Sequence, residues 1–263
     1  MLLILKPDKE QLGHEGARIV ANAIRRNPRI RLGLATGSTM LTLYKELVRQ
    51  HREESLDFSG IVSFNLDEYL GLPATHGESF HYFMHQNLFR HVNVKPENIH
   101  IPDGTISENY DRYCSAYEQS IRDAGGIDLQ ILGIGRNGHI GFNEPTSSLG
   151  SRTRLKVLTK ETIDDNRKSF GPGEKVPECA ITMGIGTILE ARRILLLASG
   201  SSKATSIAQA IEGPVTASVT ASALQHHPDV TFIVDQEAGA NLKHHDYYAR
   251  VLRLTAELTP ERI

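Results

Sequence analysis

Residues 131–145 read ILGIGRNGHIGFNEP. An apolar run, IDLQILGI from 127 to 134, delivers the chain into a loop where Gly133, Gly135 and Gly138 fit G-x-G-x-x-G. Behind a strand, that pattern marks a dinucleotide site only if it opens a helix that receives the pyrophosphate, with an acidic residue about 20 positions further on. Here Gly141 and Pro145 disfavour a helix after Gly138, and the pattern lies mid-chain rather than at the first strand. The glycines instead allow a tight turn and close passage past a ligand, while His139 and Glu144 project from the loop. A histidine held by a carboxylate has a fixed tautomer and a raised basicity, suited to moving a proton near neutral pH. A structural histidine in a turn is the plainer alternative.

Working outward, short apolar runs alternate with amphipathic stretches along the whole chain. LLIL (2–5), IRLGLA (30–35), IVSFN (61–65), CAITM (179–183), RILLLA (193–198) and DVTFIV (229–234) join 127–134 as strands buried on both faces. Helical patterns occupy 8–27, 40–51, 79–91, 107–124 and 202–211, several opened by Asp, Ser or Thr in a cap position. The fold expected is α/β: an open, doubly wound, mostly parallel sheet with helices on both faces, Rossmann-like, built as a single domain over 1–263. Residues 145–176 carry Pro145, Gly150, Gly171, Pro172 and Gly173 around a short charged helix (160–168), a composition suited to a mobile flap over a site.

With 29 Lys and Arg against 31 Asp and Glu, the net charge of −2 points to neither nucleic acid nor an anionic membrane surface. The opening MLLILKPDKE has too few apolar residues before Lys6 and Pro7 for a signal segment or a span, so a cytoplasmic protein is expected. Cys114 and Cys179 fall in a helix and a buried strand, which reads as two small buried hydrophobes rather than a disulfide.

In open α/β sheets ligands bind beyond the carboxyl ends of the strands. Four strand exits here are polar and three contain glycine: TGST (36–39), LDEY (66–69), the 133–145 loop and SGSSK (199–203). TGST offers N–H groups freed by Gly37, hydroxyls from Thr36, Ser38 and Thr39, and a helix start near Met40, which together make a phosphate cup or, alternatively, an ordinary capping cluster. Lys203 could add the cation. Asp67 and Glu68 are adjacent on an extended segment, so only one of them can easily face the crevice. A carboxylate there is either a base for a carbon-bound proton or a solvated strand end. His81 and His85 have the i, i+4 spacing of a metal pair, but without H-E-x-x-H or a nearby third ligand no metal is expected.

FNLDEYLGLP (64–73), ESFHYFMHQNLF (78–89), GIGRNGHIGFNEPTSSLGSRTR (133–154) and VPECAITMGIGTIL (176–189) resemble glucosamine-6-phosphate deaminases, essentially from end to end. In the wider superfamily DEYxGL and GHIxFNEP separate deaminases from 6-phosphogluconolactonases of the same fold. The resemblance implies conversion of glucosamine 6-phosphate and water to fructose 6-phosphate and ammonia, in amino-sugar catabolism, with no metal or organic cofactor. It implies that Asp67 moves the C2 proton, and that His139, oriented by Glu144 and Asn137, opens the pyranose ring. Relatives carry Asp or Asn at 137, and asparagine cannot become an anionic partner, which places more of that work on Glu144.

By the same resemblance the phosphate falls to Gly37, Ser38, Thr39, Lys203 and a flap cation. DNRKSF (165–170) offers Lys168 where the family pattern has Arg, with Arg167 one position earlier. Lysine supplies the charge but not the bidentate fork. Hexameric relatives are activated by N-acetylglucosamine 6-phosphate, and Ser147, Arg154 and Lys156 match the residues used there. Ala249 stands opposite a tyrosine of that second site, with Tyr247 and Tyr248 just before. A homo-oligomer, preferably a hexamer, follows as an expectation. Two other readings stay open: a lactonase, which needs the histidine but no carbon-acid base, and a non-catalytic sugar-phosphate sensor, which needs the phosphate cup but not Asp67, His139 and Glu144 together and, if it senses for transcription, would bring a DNA-binding segment.

Overall fold

The computed structural model describes residues 1–259. The elements begin with β1 (Leu2–Lys6), α1 (Lys9–Arg26), β2 (Arg31–Leu34), α2 (Met40–Glu54), β3 (Val62–Asn65), β4 (Asp67–Tyr69) and α3 (Phe80–Asn87). They continue with β5 (Ile99–His100), α4 (Tyr110–Asp123), β6 (Leu129–Leu132), β7 (Arg154–Val157), α5 (Lys160–Asn166) and β8 (Cys179–Thr182). The chain closes with α6 (Ile185–Leu189), β9 (Arg193–Ala198), α7 (Ala204–Glu212), β10 (Val230–Asp235) and α8 (His245–Leu258).

Seven strands form one fully parallel sheet in the order β1-β10-β9-β6-β2-β3-β5. Its central strands are apolar throughout because helices cover both faces; β6, for example, is buried at all four positions. From β2 the chain winds outward through β3 to β5, then returns to β6 and winds the other way through β9 to β10. The direction therefore reverses between β2 and β6, and the crevice that such a reversal opens lies beyond their carboxyl ends. TGST leaves β2 and the glycine loop leaves β6, so two of the four polar exits are adjacent by topology.

β4, β8 and β7 form a small antiparallel sheet that grows from the end of β3. The join is at residue 66, where the Leu66 N–H donates to Leu34 O (3.0 Å) and its carbonyl accepts from Met183 N (2.7 Å). This sheet has its own apolar cluster around Tyr69, Phe142, Phe170 and Val176. Expected as a member of the main sheet, CAITM is instead the central strand of the small one. Burial on both faces produces the same apolar run in either place, so hydropathy does not distinguish them. β5 and β7, of two and four residues, and the helices α6 and α8 have no counterpart among the apolar and helical runs, whereas β4 is the extended segment expected at Asp67 and Glu68. The segment expected as a flap contains β7, which is paired with β8, followed by α5. Both cysteines are free.

Close backbone approach fixes how the chain entering β7 passes the start of α6, which follows β8. A Cβ on Gly184, which caps α6, would lie 2.0 Å from Ser151 O and 2.5 Å from Arg152 O. Backbone cannot yield as a flexible side chain can, so Gly184→Ala is expected to destabilise the fold by about 1–3 kcal/mol. A thermal melt reads this as a fall in Tm of several degrees, and an unchanged Tm would contradict the packing.

Candidate active site

Asp67 is the first residue of β4 and is only 6% exposed. Pairing Asp67 with Thr182 turns its carboxyl toward the glycine loop, where Oδ2 is 3.4 Å from the point a Cβ on Gly141 would occupy. Gly141 has φ +56, and its neighbour Phe142 donates its N–H to Thr182 Oγ1 at 3.0 Å, so the loop is pinned over Asp67. Burial pushes the Asp67 carboxyl from 3.8 up to about 8, helped by the adjacent Glu68 charge. Glu68 turns the other way, as alternation requires. It accepts N–H bonds from Tyr69 (2.8 Å), Phe80 (2.9 Å) and His81 (2.8 Å), holding the N-terminus of α3. Burial raises it to about 7 against the pull of those three donors.

His139, Glu144 and Asn137 come together on the loop after β6. The imidazole Nδ1 is buried, 3.5 Å from Glu144 Oε2, and has no closer polar partner among the described residues. That separation is long for a hydrogen bond, leaving the pair one small adjustment from contact. Burial alone would raise the Glu144 carboxyl, but the His139 side chain, Thr162 and the Thr159 N–H outweigh it and hold the group at about 2. Asn137 does not reach the ring in these contacts. Its Nδ2 donates to Glu144 Oε2 (3.2 Å) and its Oδ1 accepts the His139 N–H (3.2 Å), so it positions the carboxylate and the loop. After Gly138 the next helix is α5, at residue 160, so the glycine pattern opens no helix.

At the exit of β2, Gly37 has φ +106, a conformation that favours glycine, and Met40 N donates to Gly37 O (3.0 Å) as α2 begins. Gly37 and Ser38 are exposed, and the Thr39 side chain makes no capping bond to its own helix, so N–H groups and hydroxyls face outward at a positive helix end. Lys203, half-buried at the start of α7, has its ammonium disfavoured by burial; the Asp165 charge opposes that effect and the Arg136 charge adds to it. The β9 and β2 exits flank β6, so the cup and Lys203 lie on either side of the histidine loop. Arg167 and Lys168, at the end of α5, are both exposed.

The sequence did not flag Asp235 or Asn143. Asp235, at the end of β10, accepts from Ser199 Oγ (2.5 Å) and Gly200 N (3.0 Å) and so shapes the turn that presents Lys203. A polar residue at one more buried strand exit was the available signal. Asn143 Nδ2 donates to Ile140 O (2.9 Å) and Met183 O (2.8 Å), and its Oδ1 accepts from Arg154 Nη1 (3.0 Å). Arg154 and Lys156 share one face of β7. The Arg154 Nη2 and Ser147 Oγ atoms are buried without a hydrogen-bond partner. Among the described residues, no cluster of three or more His, Cys, Asp or Glu could hold a metal, and no helix is long and apolar enough to cross a membrane.

The family model for glucosamine-6-phosphate isomerases and 6-phosphogluconolactonases matches residues 8–233. The chain belongs to this family. Within the glucosamine-6-phosphate isomerase/6-phosphogluconolactonase family its curated relatives include the glucosamine-6-phosphate deaminase of Thermoanaerobacter pseudethanolicus, 48% identical over 246 residues, covering 94% of this chain and 97% of the relative. That of Alkaliphilus oremlandii is 50% identical over 242 residues, covering 92% and 100%. Among solved family structures, a monomeric glucosamine-6-phosphate deaminase superposes with a TM-score of 0.89 at 43% identity, over 92% of this chain and all of the other. The 6-phosphogluconolactonase of Trypanosoma cruzi reaches a TM-score of 0.72 at 23% identity, a likeness of fold alone.

Proposed function

We propose that this chain is a glucosamine-6-phosphate deaminase, converting glucosamine 6-phosphate and water into fructose 6-phosphate and ammonia. The observation that carries the reading is the placement of a buried carboxyl, Asp67, directly beneath the loop bearing His139 and Glu144. A lactonase has no use for a second proton-transfer group aimed at a carbon acid. Gly37, Ser38, Thr39 and Lys203, with Arg167 or Lys168, hold the phosphate and fix the sugar in the crevice. His139, backed by Glu144, moves the proton between the anomeric hydroxyl and the ring oxygen, and the ring C1–O bond opens. Asp67 as the anion then takes the proton from C2 and returns it at C1, turning the 2-amino aldose into the 2-imino form of the ketose, with nitrogen still on C2. Water adds at C2 and ammonia leaves from it. No step calls for a metal or an organic cofactor.

The reading covers the whole chain as one sugar-phosphate domain, with 145–176 as its flap and amino-sugar catabolism as its setting. A phosphorylated substrate and two free thiols suit the cytoplasm. Ser147, Arg154 and Lys156 are proposed to take N-acetylglucosamine 6-phosphate as an activator. The unpartnered Ser147 Oγ and Arg154 Nη2 support that role, and the Arg154 bond to Asn143 gives the second site a route to Glu144 one residue on. The hexamer is the assembly proposed with it, and light scattering that returned the mass of a single chain would overturn it.

The reaction itself is tested by following ammonia and fructose 6-phosphate together from glucosamine 6-phosphate in chelator-treated buffer. Equal release of both supports the deaminase. No turnover of the amino sugar, with hydrolysis of 6-phosphogluconolactone, would replace it with the lactonase.

A further inference from the structure

Helix α5 is gripped by the catalytic loop at two places. At its start the Thr159 N–H donates to Glu144 Oε1 (3.3 Å), the carboxylate whose other oxygen faces His139. Further along, Arg136 Nε and Nη2 donate to Asp165 Oδ2 (2.8 Å) and Oδ1 (2.5 Å) in a planar two-point fork. Glu161 and Asp165 lie four apart on one face of α5, and Glu161 Oε1 is 4.0 Å from Arg136 Nη2, so this face is turned to the arginine. Beyond the helix, Phe170 is buried against Tyr69 with ring centroids 5.9 Å apart, which anchors the far end. The cations Arg167 and Lys168 sit between the fork and that anchor.

Arg136 directly precedes Asn137, which holds Glu144 from the other side. One short stretch of loop therefore grips both the flap helix and the carboxylate behind the histidine. The fork also occupies Asp165, whose charge is felt at Lys203. With side chains 48% and 35% exposed, the pair contributes little to folding, and what it fixes is geometry.

We propose, building on the deaminase reading, that Arg136 is a positioning residue: its fork with Asp165 locks α5 onto the ring-opening loop, so that a sugar phosphate held by Lys203 and the cationic end of α5 sets Glu144 against His139. Lysine at 136 could not reproduce a two-point contact, so the proposal depends on the planar guanidinium.

The test uses the full chain and ammonia release from glucosamine 6-phosphate, with Arg136→Gln, Asp165→Asn, the double variant and the reversed pair Arg136→Asp with Asp165→Arg. Each single change is expected to lower kcat/KM about tenfold, chiefly through KM, and the double variant no further than either one. The reversed pair is expected to recover to within about threefold of the wild type, with Tm moving by less than about 2 °C throughout. Glu161→Gln, at the longer distance, serves as the control and stays within about twofold. Additive losses in the double variant, a reversed pair no better than it, or single variants within about twofold of the wild type would overturn the proposal. A wild type that releases no ammonia would instead sink the deaminase reading, so the two failures are distinct.

Discussion

Asp67→Asn is expected to cut ammonia release from glucosamine 6-phosphate by about 10³-fold or more while making the protein more stable at pH 8. The loss follows from chemistry: an amide cannot accept the C2 proton, and the nearby Glu68 is held by three backbone N–H bonds, two of them from the N-terminus of α3. The gain follows from burial. The Asp67 carboxyl stands near 8 in the folded chain against an ordinary 3.8, so between those values the folded state holds a proton that the unfolded chain has released. Wild-type stability is therefore full below about pH 4 on this account and falls as pH rises toward 8. Asparagine removes that dependence, so the Tm advantage of the variant grows across the same window, to a few degrees for ~2 kcal/mol.

Two measurements check it, turnover at saturating substrate and thermal melts at pH 5 and pH 8. Activity retained within tenfold would remove Asp67 as the base. A Tm difference that shrank with rising pH would contradict the buried carboxyl. In the wild type the same group sets an acid limb: kcat/KM rises with pH toward about 8, because the free enzyme must ionise Asp67 before it can act.

The second large effect is at Glu144. Glu144→Gln is expected to reduce turnover about 100-fold, whereas Asn137→Asp changes it by less than about fivefold. Glu144 is buried, anionic and 3.5 Å from the imidazole, so on the proposed mechanism it stabilises His139 when the ring takes up a proton. Asn137 touches Glu144 and the loop backbone rather than the ring. An aspartate there brings a second carboxylate close to Glu144, and the cost of that repulsion limits what the added charge can contribute. Comparing the two variants side by side decides it, and a nearly unaffected Glu144→Gln would refute the assignment.

Much of the site was legible because each part was local. A buried strand followed at once by TGST, DEY or GIGRNGH places those residues at a carboxyl end, wherever the strand lies in the sheet. Alternation alone separates Asp67 from Glu68: in the fold one faces the glycine loop and the other accepts N–H bonds at the start of α3. The glycines of 133–141 and the proline at 145 likewise argue against a nucleotide helix without reference to anything distant. What local pattern could not supply was partnership across the chain. Arg136 looks like any loop arginine until α5 brings Asp165 to it, and Asp235 looks like a strand end until the Ser199 turn settles on it.

The amino-acid sequence by itself thus determined the α/β class, the parallel main sheet and the residue types at each strand exit, since these follow from hydrophobic period and turn chemistry within short windows. The tertiary structure alone decided that the winding reverses between β2 and β6, that CAIT leaves the main sheet for a smaller one, and that the start of α5 rests on the carboxylate behind His139. These depend on which surfaces meet, and a buried apolar run or an exposed ion pair has the same sequence signature whichever partner it finds.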